Sequence, residues 1–473
     1  MKICMVLMAF FSIQITFAHE LGQDVSRWSQ DQFEIAKTRL MQNVSPKGAI
    51  PGSVVASPSK DSPNYYYNWV RDAGLVMLTI NRLRTFSTSQ EEQDFYLRQL
   101  FDYVDVTRIH QSMRTAAGLG EVKFYVNGAP FTGPWGRPQN DGPAIRALTL
   151  TKLANYLMEH EGEAYVRSML YDSKQPTESV IKKDLEYVSH NWKNHDFDLW
   201  EEIMGHHFFT RLLQRRALLE GAKLAKRLGD MGAGEWYASQ AQALEVALNL
   251  HWDENAGFFR ATQNRVAGID YKQGMDSSVI IAIINSADAQ DTAFSIKDDR
   301  FMSSLYKMKN TFSGIYSINS RFPDMGTAIG RYPEDRYDGY STGKLGNPWF
   351  ITTAAFASYY YKLAKALKKD GSIKVTKRNR EFLNQALTLT MTGHFLQVNQ
   401  VLGSNDSIFS LLLEGLIKSG DSYVERIRFH AHSDGSLSEQ MNRETGYMQG
   451  AEHLTWSYSS FINVYLNRQE ALR

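Results

Sequence analysis

The segment FFTRLLQRRALLEGAKLAKRL, residues 208–228, carries the pattern that decides the fold. Apolar residues recur in it at intervals of three and four positions, the spacing that places them on one face of an α-helix. The same spacing recurs in QDQFEIAKTRLMQNV (30–44), QEEQDFYLRQLFDYVDVTRI (90–109), WYASQAQALEVALNLHW (236–252) and PWFITTAAFASYYYKLAKALKK (348–369). Alternating patterns are few and short, as in KFYVNGAPF (123–131). The sequence therefore predicts an all-α protein with roughly a dozen helices.

Long irregular stretches rich in Gly, Pro, aromatic and acidic residues separate these helical segments. They span 49–68, 115–143, 313–347 and 431–448, and no Pro/Ser-rich linker divides the chain. Loops of that length in a compact domain are functional or tell against the assignment. Aromatic and charged residues together suit a pocket that stacks against a polar ring and hydrogen-bonds it. We therefore expect a helical barrel whose site is built from loops at one end.

The composition is that of an ordinary globular protein. The chain has 473 residues, of which 43% are hydrophobic and 22% charged, and its formal net charge is +1. These values exclude a predominantly disordered chain. A neutral chain without long Lys/Arg tracts also lacks the positive surface that nucleic-acid binding requires, so we expect no nucleic-acid partner.

Residues 1–18 have the features of a secretory signal peptide: an early lysine, an apolar run, and the small residue Ala18 before a polar chain. The apolar run is too short to span a bilayer comfortably, so we expect no membrane anchor. The lone Cys4 lies within this leader. We therefore expect a secreted or periplasmic protein in which residues 19–473 form a single disulfide-free domain held by its core.

The stretch DFDLWEEIMGHHFFTR, residues 196–211, places four carboxylates around Trp200. Two interpretations remain open from this stretch alone. Asp198 with Glu201 three residues later fits a capping box at the start of a helix. Alternatively, the carboxylates belong to a chemical site.

Two adjacent histidines in the same stretch, His206 and His207, suggest a metal site. Adjacent histidines point in different directions, and no ligand spacing follows them. We therefore expect neither a metal nor a cofactor.

Four further motifs combine acids, Trp or Tyr, and turn residues before a predicted helix. They are YYYNWVRDAGLVM (65–77), KFYVNGAPFTGPWGRPQNDGPAIRAL (123–148), IGRYPEDRYDGYSTGKLGNPWFITTAAF (329–356) and HSDGSLSEQMNRETGY (432–447). Each motif is weak alone: Arg71 with Asp72 can be a surface ion pair, and Asp141 can cap a helix that begins at Pro143. Their recurrence favours a shared pocket.

Together the blocks WVRDAGLV, GRPQNDGPAIRA, DLWEE…FFTRLLQRRAL, GRYPEDRYDG…GNPWFITT and DGSLSEQ…HLTWSYSSF resemble, in order, those of the glucoamylases, glycoside hydrolase family 15. The resemblance covers residues 30–466. It implies an (α/α)6 barrel of six inner and six outer helices with a pocket at one end. It also implies exo-acting, inverting release of β-D-glucose from non-reducing ends of α-1,4-glucans, with slower cleavage of α-1,6 links.

The resemblance also assigns site residues. Glu201 matches the family's general acid and Glu439 its general base. The residues that match substrate-binding positions, neighbours of the catalytic water or the aromatic pocket wall are Tyr65, Trp69, Arg71, Asp72, Trp135, Asp198, Glu202, Trp349 and Gln440.

The chemistry of inversion agrees with this assignment. It needs a protonated carboxylic acid and an opposing carboxylate roughly 6.5 to 9.5 Å apart. Adjacent helical residues do not face one point, so Glu201 and Glu202 cannot form the pair. Glu439, followed by Gln440 that can orient water, is the sensible partner. We expect burial beside Trp200 and Glu202 to keep Glu201 protonated.

One position departs from the family pattern. TFSGIYSINS places Ser313 where fungal members often have an arginine that contacts the second sugar. The departure bears on specificity for the leaving part of the substrate. No starch-binding module follows Arg473, so we expect soluble starch, dextrins, glycogen and maltooligosaccharides as substrates.

The sequence also bears on oligomeric state, glycosylation and alternative functions. We expect a monomer. The sequons at Asn43 and Asn405 would carry glycan only in a host that attaches it. The alternative functions are a sibling activity of the same family, glucodextranase or trehalase, and a non-catalytic carbohydrate-binding protein.

Overall fold

The computed structural model describes residues 25–286 and 291–473. The predicted signal peptide, residues 1–18, lies outside these described residues and stays a prediction. Within them, no helix is both long enough and apolar enough to cross a bilayer.

Helices dominate the described residues, and the strands are short. The helices are α1 (25–42), α2 (Val70–Phe86), α3 (Gln90–Ser112), α4 (Asp141–His160), α5 (Glu163–Met169), α6 (Val180–Asn191), α7 (Phe208–Arg227), α8 (Met231–Asn249), α9 (Ser278–Ser286), α10 (Asp299–Ser313), α11 (Ser317–Arg321), α12 (Phe350–Asp370), α13 (Arg380–Leu387), α14 (Ser407–His430) and α15 (Thr455–Leu472). The strands are β1 (Asn68–Trp69), β2 (Lys123–Phe124), β3 (Asp196–Phe197), β4 (Ile203–His207), β5 (Trp252–Asp253), β6 (Phe258–Phe259), β7 (Thr262–Gly268), β8 (Ser372–Lys374), β9 (Val401–Gly403), β10 (Gln440–Met441) and β11 (Met448–Gln449).

Six helices close into an inner ring. Each of α2, α4, α7, α9, α12 and α15 packs against the next, and α15 packs back onto α2. The outer layer consists of α1, α3, α6, α8, α10 and α14, so outer and inner helices alternate along the chain. This architecture is the predicted (α/α)6 barrel, and the fold prediction is confirmed.

The sequence pattern separates the two layers. The outer helix α8 buries only Gly234, Tyr237, Ala241, Leu244 and Leu248, whose spacing of three and four marks a single covered face. The inner helix α12 buries residues on all its faces. A helix covered on both sides needs such an all-round apolar sequence, because inner helices contact both the ring and the outer layer.

The segments that precede the inner helices meet at one end of the barrel. Short strand pairs lie in these segments: Trp69 of β1 pairs with Lys123 of β2, and Gln440 of β10 pairs with Gln449 of β11. An isolated bridge joins Trp349, just before α12, to Gln440. Backbone pairing therefore ties the start of α2 to the segment before α4, and the start of α12 to the segment before α15.

The predicted capping box at Asp198 and Glu201 is wrong. Helix α7 begins only at Phe208, because residues 203–207 form β4, which pairs with β3 and β7. The Asp198 carboxylate instead caps a turn: its Oδ1 accepts hydrogen bonds from the backbone N–H groups of Glu202 and Ile203, at 2.8 and 2.9 Å.

The two sequons differ in accessibility. Asn43 is buried, and its side-chain amide donates to His453 O at 3.1 Å and to Thr455 Oγ1 at 2.8 Å. Asn405 is exposed. Only Asn405 therefore presents an amide that is open to a glycosylating enzyme.

Two helical glycines test the packing of the outer layer. In α14, a Cβ at Gly415 would overlap the backbone carbonyl of Ala386 in α13, whereas a Cβ at Gly232 in α8 meets open space. We expect Gly415→Ala to lower the free energy of unfolding by about 1–3 kcal/mol through overpacking. Gly232→Ala should leave it unchanged or raise it by up to about 1 kcal/mol.

Denaturant unfolding of both variants measures this difference. Equal free energies of unfolding for the two alanine variants would contradict the close approach of α13 to α14.

Candidate active site

Glu201 lies at the end of a tight turn before β4. Its N–H donates to Asp198 O at 2.8 Å, and its φ of 65° is in the left-handed region. For a residue other than glycine, this backbone conformation costs about 1–3 kcal/mol. Because the Asp198 carboxylate holds the next two N–H groups, the turn keeps Glu201 in this orientation.

Four donors surround the Glu201 carboxylate. Its Oε1 accepts hydrogen bonds from Trp69 Nε1 at 2.9 Å, Gln139 Nε2 at 3.1 Å and Arg71 Nη2 at 3.3 Å. Its Oε2 accepts from Trp135 Nε1 at 2.7 Å. The side chain remains 17% exposed, so the carboxylate is directed into an accessible site.

The sequence predicts that Glu201 is buried beside Trp200, but the indole N–H of Trp200 is not among the donors to this carboxylate. Its indole N–H donates to both oxygens of Asp276, at 2.9 and 3.1 Å, and its ring packs on Trp349 with centroids 5.4 Å apart. The chain reverses direction at the turn, which sends the Trp200 ring under the pocket. The indoles that contact Glu201 belong to Trp69 and Trp135 instead.

Glu202 points away from Glu201. Its Oε1 accepts from Arg331 Nη2 at 2.8 Å, and its Oε2 accepts from the Tyr332 hydroxyl at 2.7 Å. Burial raises the pKa of Glu202, and the Arg331 charge opposes that rise. The two adjacent glutamates therefore have separate surroundings.

Lys272 anchors the turn from below. Its buried ammonium contacts Asp198 Oδ2 at 3.2 Å and also pairs with Asp276. Burial would raise the pKa of Asp198, but the Lys272 charge and the backbone N–H groups of the turn hold it below its usual value. Asp198 therefore stays a carboxylate and keeps its hold on the turn.

Arg71 and Asp72 begin α2 beside the two indoles. Arg71 Nη1 donates to Gln139 Oε1 at 2.7 Å and to Asp141 Oδ2 at 3.0 Å, so the loop before α4 and the first residue of α4 are both fixed to α2. The pKa of Asp72 is raised to about 6, because burial raises it and the charge of the neighbouring Arg71 only partly offsets that rise. Asp72 can therefore accept a hydrogen bond from a sugar hydroxyl as a carboxylate near neutral pH.

Glu439 lies across the pocket, immediately before β10, and is 1% exposed. Its Oε1 accepts from the Tyr65 hydroxyl at 3.0 Å, and its Oε2 accepts from Gln440 Nε2 at 3.1 Å. Burial raises the pKa of Glu439 to about 8, against the Tyr65 hydrogen bond and the charge of Arg331, which lower it. Gly450, at a φ of 77°, is required here because a Cβ would overlap Glu439 Oε2.

Two aromatic rings separate the glutamates. Trp69 donates to Glu201 and Tyr65 donates to Glu439, and the two rings meet edge to face with centroids 5.5 Å apart. Trp135 stands next to Trp69 at 6.2 Å and is 41% exposed. We call the surface formed by Tyr65, Trp69 and Trp135 between the two glutamates the aromatic pocket.

Trp349 and Gln440 lie behind the aromatic pocket. Trp349 is buried against Trp200 and Tyr337, so it supports the pocket from within. Gln440 Oε1 accepts from Asn347 Nδ2 at 2.9 Å. This bond fixes the Gln440 amide with its N–H group toward Glu439.

Several residues of the site were not predicted from the sequence. Gln139 and Arg331 lie within the motifs GRPQND and GRYPED, so their type and position were a usable signal. Lys272 and Asp276 lie in YKQGMDSS, which carries no such signal. Lys123 was also missed: its ammonium lies 3.2 Å from the Trp135 ring centroid, and burial lowers its pKa to about 8.

The structure places Ser313 on the surface of the protein. It is the exposed last residue of α10, and its hydroxyl donates to Asn310 O within the same helix. Two arginines contact the glutamates of the site: Arg71 donates to Glu201, and Arg331 donates to Glu202. The expected effect of Ser313 on specificity for the leaving part of the substrate stays a prediction.

The two histidines of the turn region contact backbone carbonyls. His206 Nε2 contacts Lys193 O at 3.0 Å, and His207 Nε2 contacts Asp196 O at 2.8 Å. Among residues 25–286 and 291–473, no group of three or more His, Cys, Asp or Glu side chains could hold a metal ion.

Two glutamates at opposite ends of an aromatic pocket, at one end of an (α/α)6 barrel, are typical of glycoside hydrolases that use a pair of carboxyl groups. The sequence profile of Glycosyl hydrolases family 15 matches residues 34–466. The chain belongs to this family, and it is a glucan 1,4-alpha-glucosidase.

Curated relatives and solved structures agree with this assignment. The chain is 38% identical over 463 residues to the glucoamylase of Blastobotrys adeninivorans, covering 95% of this chain and 73% of that one. It is 34% identical over 443 residues to glucoamylase 1 of Rhizopus oryzae, covering 93% and 70%. The solved glucoamylase of Saccharomycopsis fibuligera superposes with a TM-score of 0.86 at 31% identity, covering 95% of this chain and 96% of that one.

Proposed function

We propose that this enzyme is an exo-acting, inverting glucoamylase. It releases β-D-glucose from the non-reducing ends of soluble starch, dextrins, glycogen and maltooligosaccharides, and it cleaves α-1,6 links more slowly. The observation that carries the proposal is the placement of Glu201 and Glu439 at opposite ends of the Trp69–Tyr65 pair. Inversion requires two carboxyl groups far enough apart to leave room for a water molecule beside the sugar.

Glu201 acts as the general acid in this proposal. Its Oε1 already accepts three hydrogen bonds, so the transferable proton is carried by Oε2, which accepts only from Trp135. Once this proton passes to the glycosidic oxygen, Glu201 becomes a carboxylate. The four donors stabilise that charge, and because the charge develops in the transition state, the arrangement favours bond cleavage.

Glu439 acts as the general base. Its carboxylate takes a proton from the water that attacks the anomeric carbon, on the face opposite to the departing oxygen. The Tyr65 hydroxyl and the Gln440 amide each hold one carboxylate oxygen, so the second lone pairs stay directed at the pocket.

The buried charges at the base of the pocket support an exo mode of attack. Arg71 and Asp72 are buried where α2 begins, and together they present donors and an acceptor to the hydroxyl groups of a terminal sugar. In this proposal Glu202 supports the bound sugar, and Asp198 holds the turn that carries Glu201. Export with loss of residues 1–18, and action as a monomer, belong to the same proposal.

Substitution of Glu201, the proposed acid, should lower the rate of catalysis and leave substrate binding largely intact. We expect Glu201→Gln to lower kcat on maltotriose by a factor of about 100 to 10,000, because the amide cannot donate the proton. Maltose binding, measured by calorimetry, should remain within a few-fold of the unsubstituted enzyme. The matched control is Glu202→Gln, which should change KM more than kcat because Glu202 binds Arg331 and Tyr332.

Retention of kcat by Glu201→Gln would overturn the assignment of the acid. A larger loss of kcat in Glu202→Gln than in Glu201→Gln would exchange the two roles.

The Tyr65 hydroxyl should set the acidic limb of the pH profile. The base works as a carboxylate, so kcat/KM falls as pH drops below the pKa of Glu439. Tyr65→Phe removes a hydrogen bond that lowers this pKa. We therefore expect the acidic limb to move to higher pH by about one unit.

Tyr337→Phe is the control for this experiment, since the Tyr337 hydroxyl contacts Tyr65 at 3.1 Å and donates to Gly339 O at 3.0 Å. An equal displacement of the limb in both variants would exclude a specific Tyr65–Glu439 hydrogen bond.

The anomer of the first product tests the mechanism directly. We expect β-glucose as the first product from maltotriose, followed by slow mutarotation, in a timed proton NMR assay. Initial α-glucose would overturn inversion. Faster hydrolysis of isomaltose or trehalose than of maltose, measured in parallel, would assign the sibling activities instead.

A further inference from the structure

A lysine ammonium is enclosed by four aromatic rings beside the aromatic pocket. The distances from Lys123 Nζ to the ring centroids are 3.2 Å for Trp135, 4.2 Å for Trp69, 4.4 Å for Phe131 and 4.6 Å for Tyr67. All four are within the range of a cation–π interaction, about 6 Å. The lysine itself is only 1% exposed. We call Lys123 and these four rings the lysine box.

The four rings of the lysine box support one another in a closed circuit. Neighbouring rings meet edge to face, with centroids 5.8 Å apart for Tyr67 and Trp69, 6.2 Å for Trp69 and Trp135, 5.9 Å for Trp135 and Phe131, and 5.4 Å for Phe131 and Tyr67. Such contacts are favourable, because the positive edge of one ring meets the negative face of the next. The walls around the ammonium are therefore fixed.

Strand pairing places Lys123 inside the box. Trp69 of β1 and Lys123 of β2 lie directly opposite each other in an antiparallel pair, so their side chains share one face. The Lys123 carbonyl also accepts from the N–H group of Phe131 at 3.4 Å. Backbone hydrogen bonds therefore hold the cation and two of its walls in register.

Two walls of the lysine box are donors to Glu201. Trp69 Nε1 donates to Glu201 Oε1 at 2.9 Å, and Trp135 Nε1 donates to Glu201 Oε2 at 2.7 Å. A cation over the face of an indole draws electron density from the ring, so the N–H group becomes a stronger hydrogen-bond donor. The Lys123 ammonium therefore acts on both oxygens of Glu201 through two separate rings.

The other charged groups that face Glu201 do not replace Lys123. Arg71 and Asp72 at the start of α2 and Asp141 at the start of α4 all interact electrostatically with Glu201. The Arg71 guanidinium lies 3.0 Å from Asp141, 3.3 Å from Glu201 and 3.5 Å from Asp72. Three carboxylates thus share one guanidinium, and Lys123 brings a second positive charge from β2.

Arg137 is the other cation that acts on Lys123, and it has its own carboxylate. Its Nε donates to Glu121 Oε1 at 2.6 Å. Burial lowers the pKa of Lys123 to about 8, the Glu201 charge opposes that fall, and the Arg137 charge adds to it. Lys123 is therefore charged at neutral pH, and Glu201 is the carboxylate that stabilises its charge.

We propose that Lys123 is a positioning residue for the hydrolysis. Its ammonium aligns and polarises the indole donors of Trp69 and Trp135, and so stabilises the negative charge that Glu201 acquires when its proton passes to the glycosidic oxygen. An apolar side chain would fill the box without the cost of burying a charge, so the charge itself is what this position supplies. The inference rests on the proposed role of Glu201 as the general acid.

The rate of maltotriose hydrolysis tests the proposal with two substitutions in the full-length protein. Lys123→Met keeps an unbranched side chain and removes the charge, whereas Lys123→Arg keeps a cation that can stack on the rings. We expect Lys123→Met to lower kcat by a factor of about 10 to 100, because the developing Glu201 charge loses part of its stabilisation. Lys123→Arg should retain kcat within about fivefold.

The alkaline limb of the pH profile gives a readout that packing alone would not change. The general acid works in its protonated form, so kcat falls as pH rises and Glu201 loses its proton. Removal of a nearby positive charge disfavours the carboxylate form. In Lys123→Met the alkaline limb should therefore move to higher pH, by about half a unit to one unit, and in Lys123→Arg it should stay in place.

Lys309→Met is the matched control, because it removes a half-buried ammonium of the outer helix α10 that bonds Gln385. This variant should leave both kcat and the alkaline limb unchanged. If Lys123→Met does not fold, Lys123→Gln provides the same comparison, since its side chain is also uncharged.

Unchanged kcat and an unchanged alkaline limb in the uncharged Lys123 variant, with Glu201→Gln inactive, would overturn this inference and leave the proposed function in place. An equal loss of kcat in Lys123→Met and Lys123→Arg, without movement of the limb, would assign Lys123 to packing alone and overturn the inference as well. Retention of kcat by Glu201→Gln would overturn the proposed acid, and this inference with it.

Discussion

A buried guanidinium group organises the active end of the barrel. Arg71 is shielded from water, so its charge must be met by fixed partners, and it finds them in Asp141, Gln139 and Glu201. These partners belong to the start of α4, the loop before α4, and the turn that carries Glu201. Because removing one partner of a buried charge costs more than the pair contributes, all three positions are strongly constrained. Glu201, the proposed acid, is thus held in place by the fold, with its donors already in contact.

Buried cations that join two carboxylates also occur elsewhere around the pocket. Lys272 joins Asp198 to Asp276 beneath the turn, and Arg331 joins Glu202 to the loop beyond it. Glu439 differs, because its direct partners are the neutral groups of Tyr65 and Gln440. Burial therefore raises the pKa of Glu439 to about 8. The two carboxyl groups therefore lie in different environments: Glu201 accepts from four donors, one of them Arg71, whereas Glu439 accepts from two neutral groups.

Sequence alone predicted the helices, since the period of three and four residues is local, and the motifs grouped both glutamates with their aromatic neighbours. It failed where long-range pairing decides. The capping box was wrong because β4 pairs with β7, some sixty residues further along the chain. The position of Trp200 was also predicted wrongly, because β3 and β4 run in opposite directions on either side of it. Lys272 was missed since nothing near it in sequence indicates that it meets Asp198.

The alternation of inner and outer helices imposes an electrical polarity on the barrel. All inner helices begin at the active end, so their positive N-terminal ends meet there, and carboxylates such as Asp72 and Asp141 lie in first turns. Their negative C-terminal ends meet at the opposite end, where basic residues such as Arg84, Arg227 and Lys369 lie in last turns. A site that needs several buried carboxylates is therefore best placed at the end where the helices begin, and the topology of the fold favours that position before any catalytic residue is chosen.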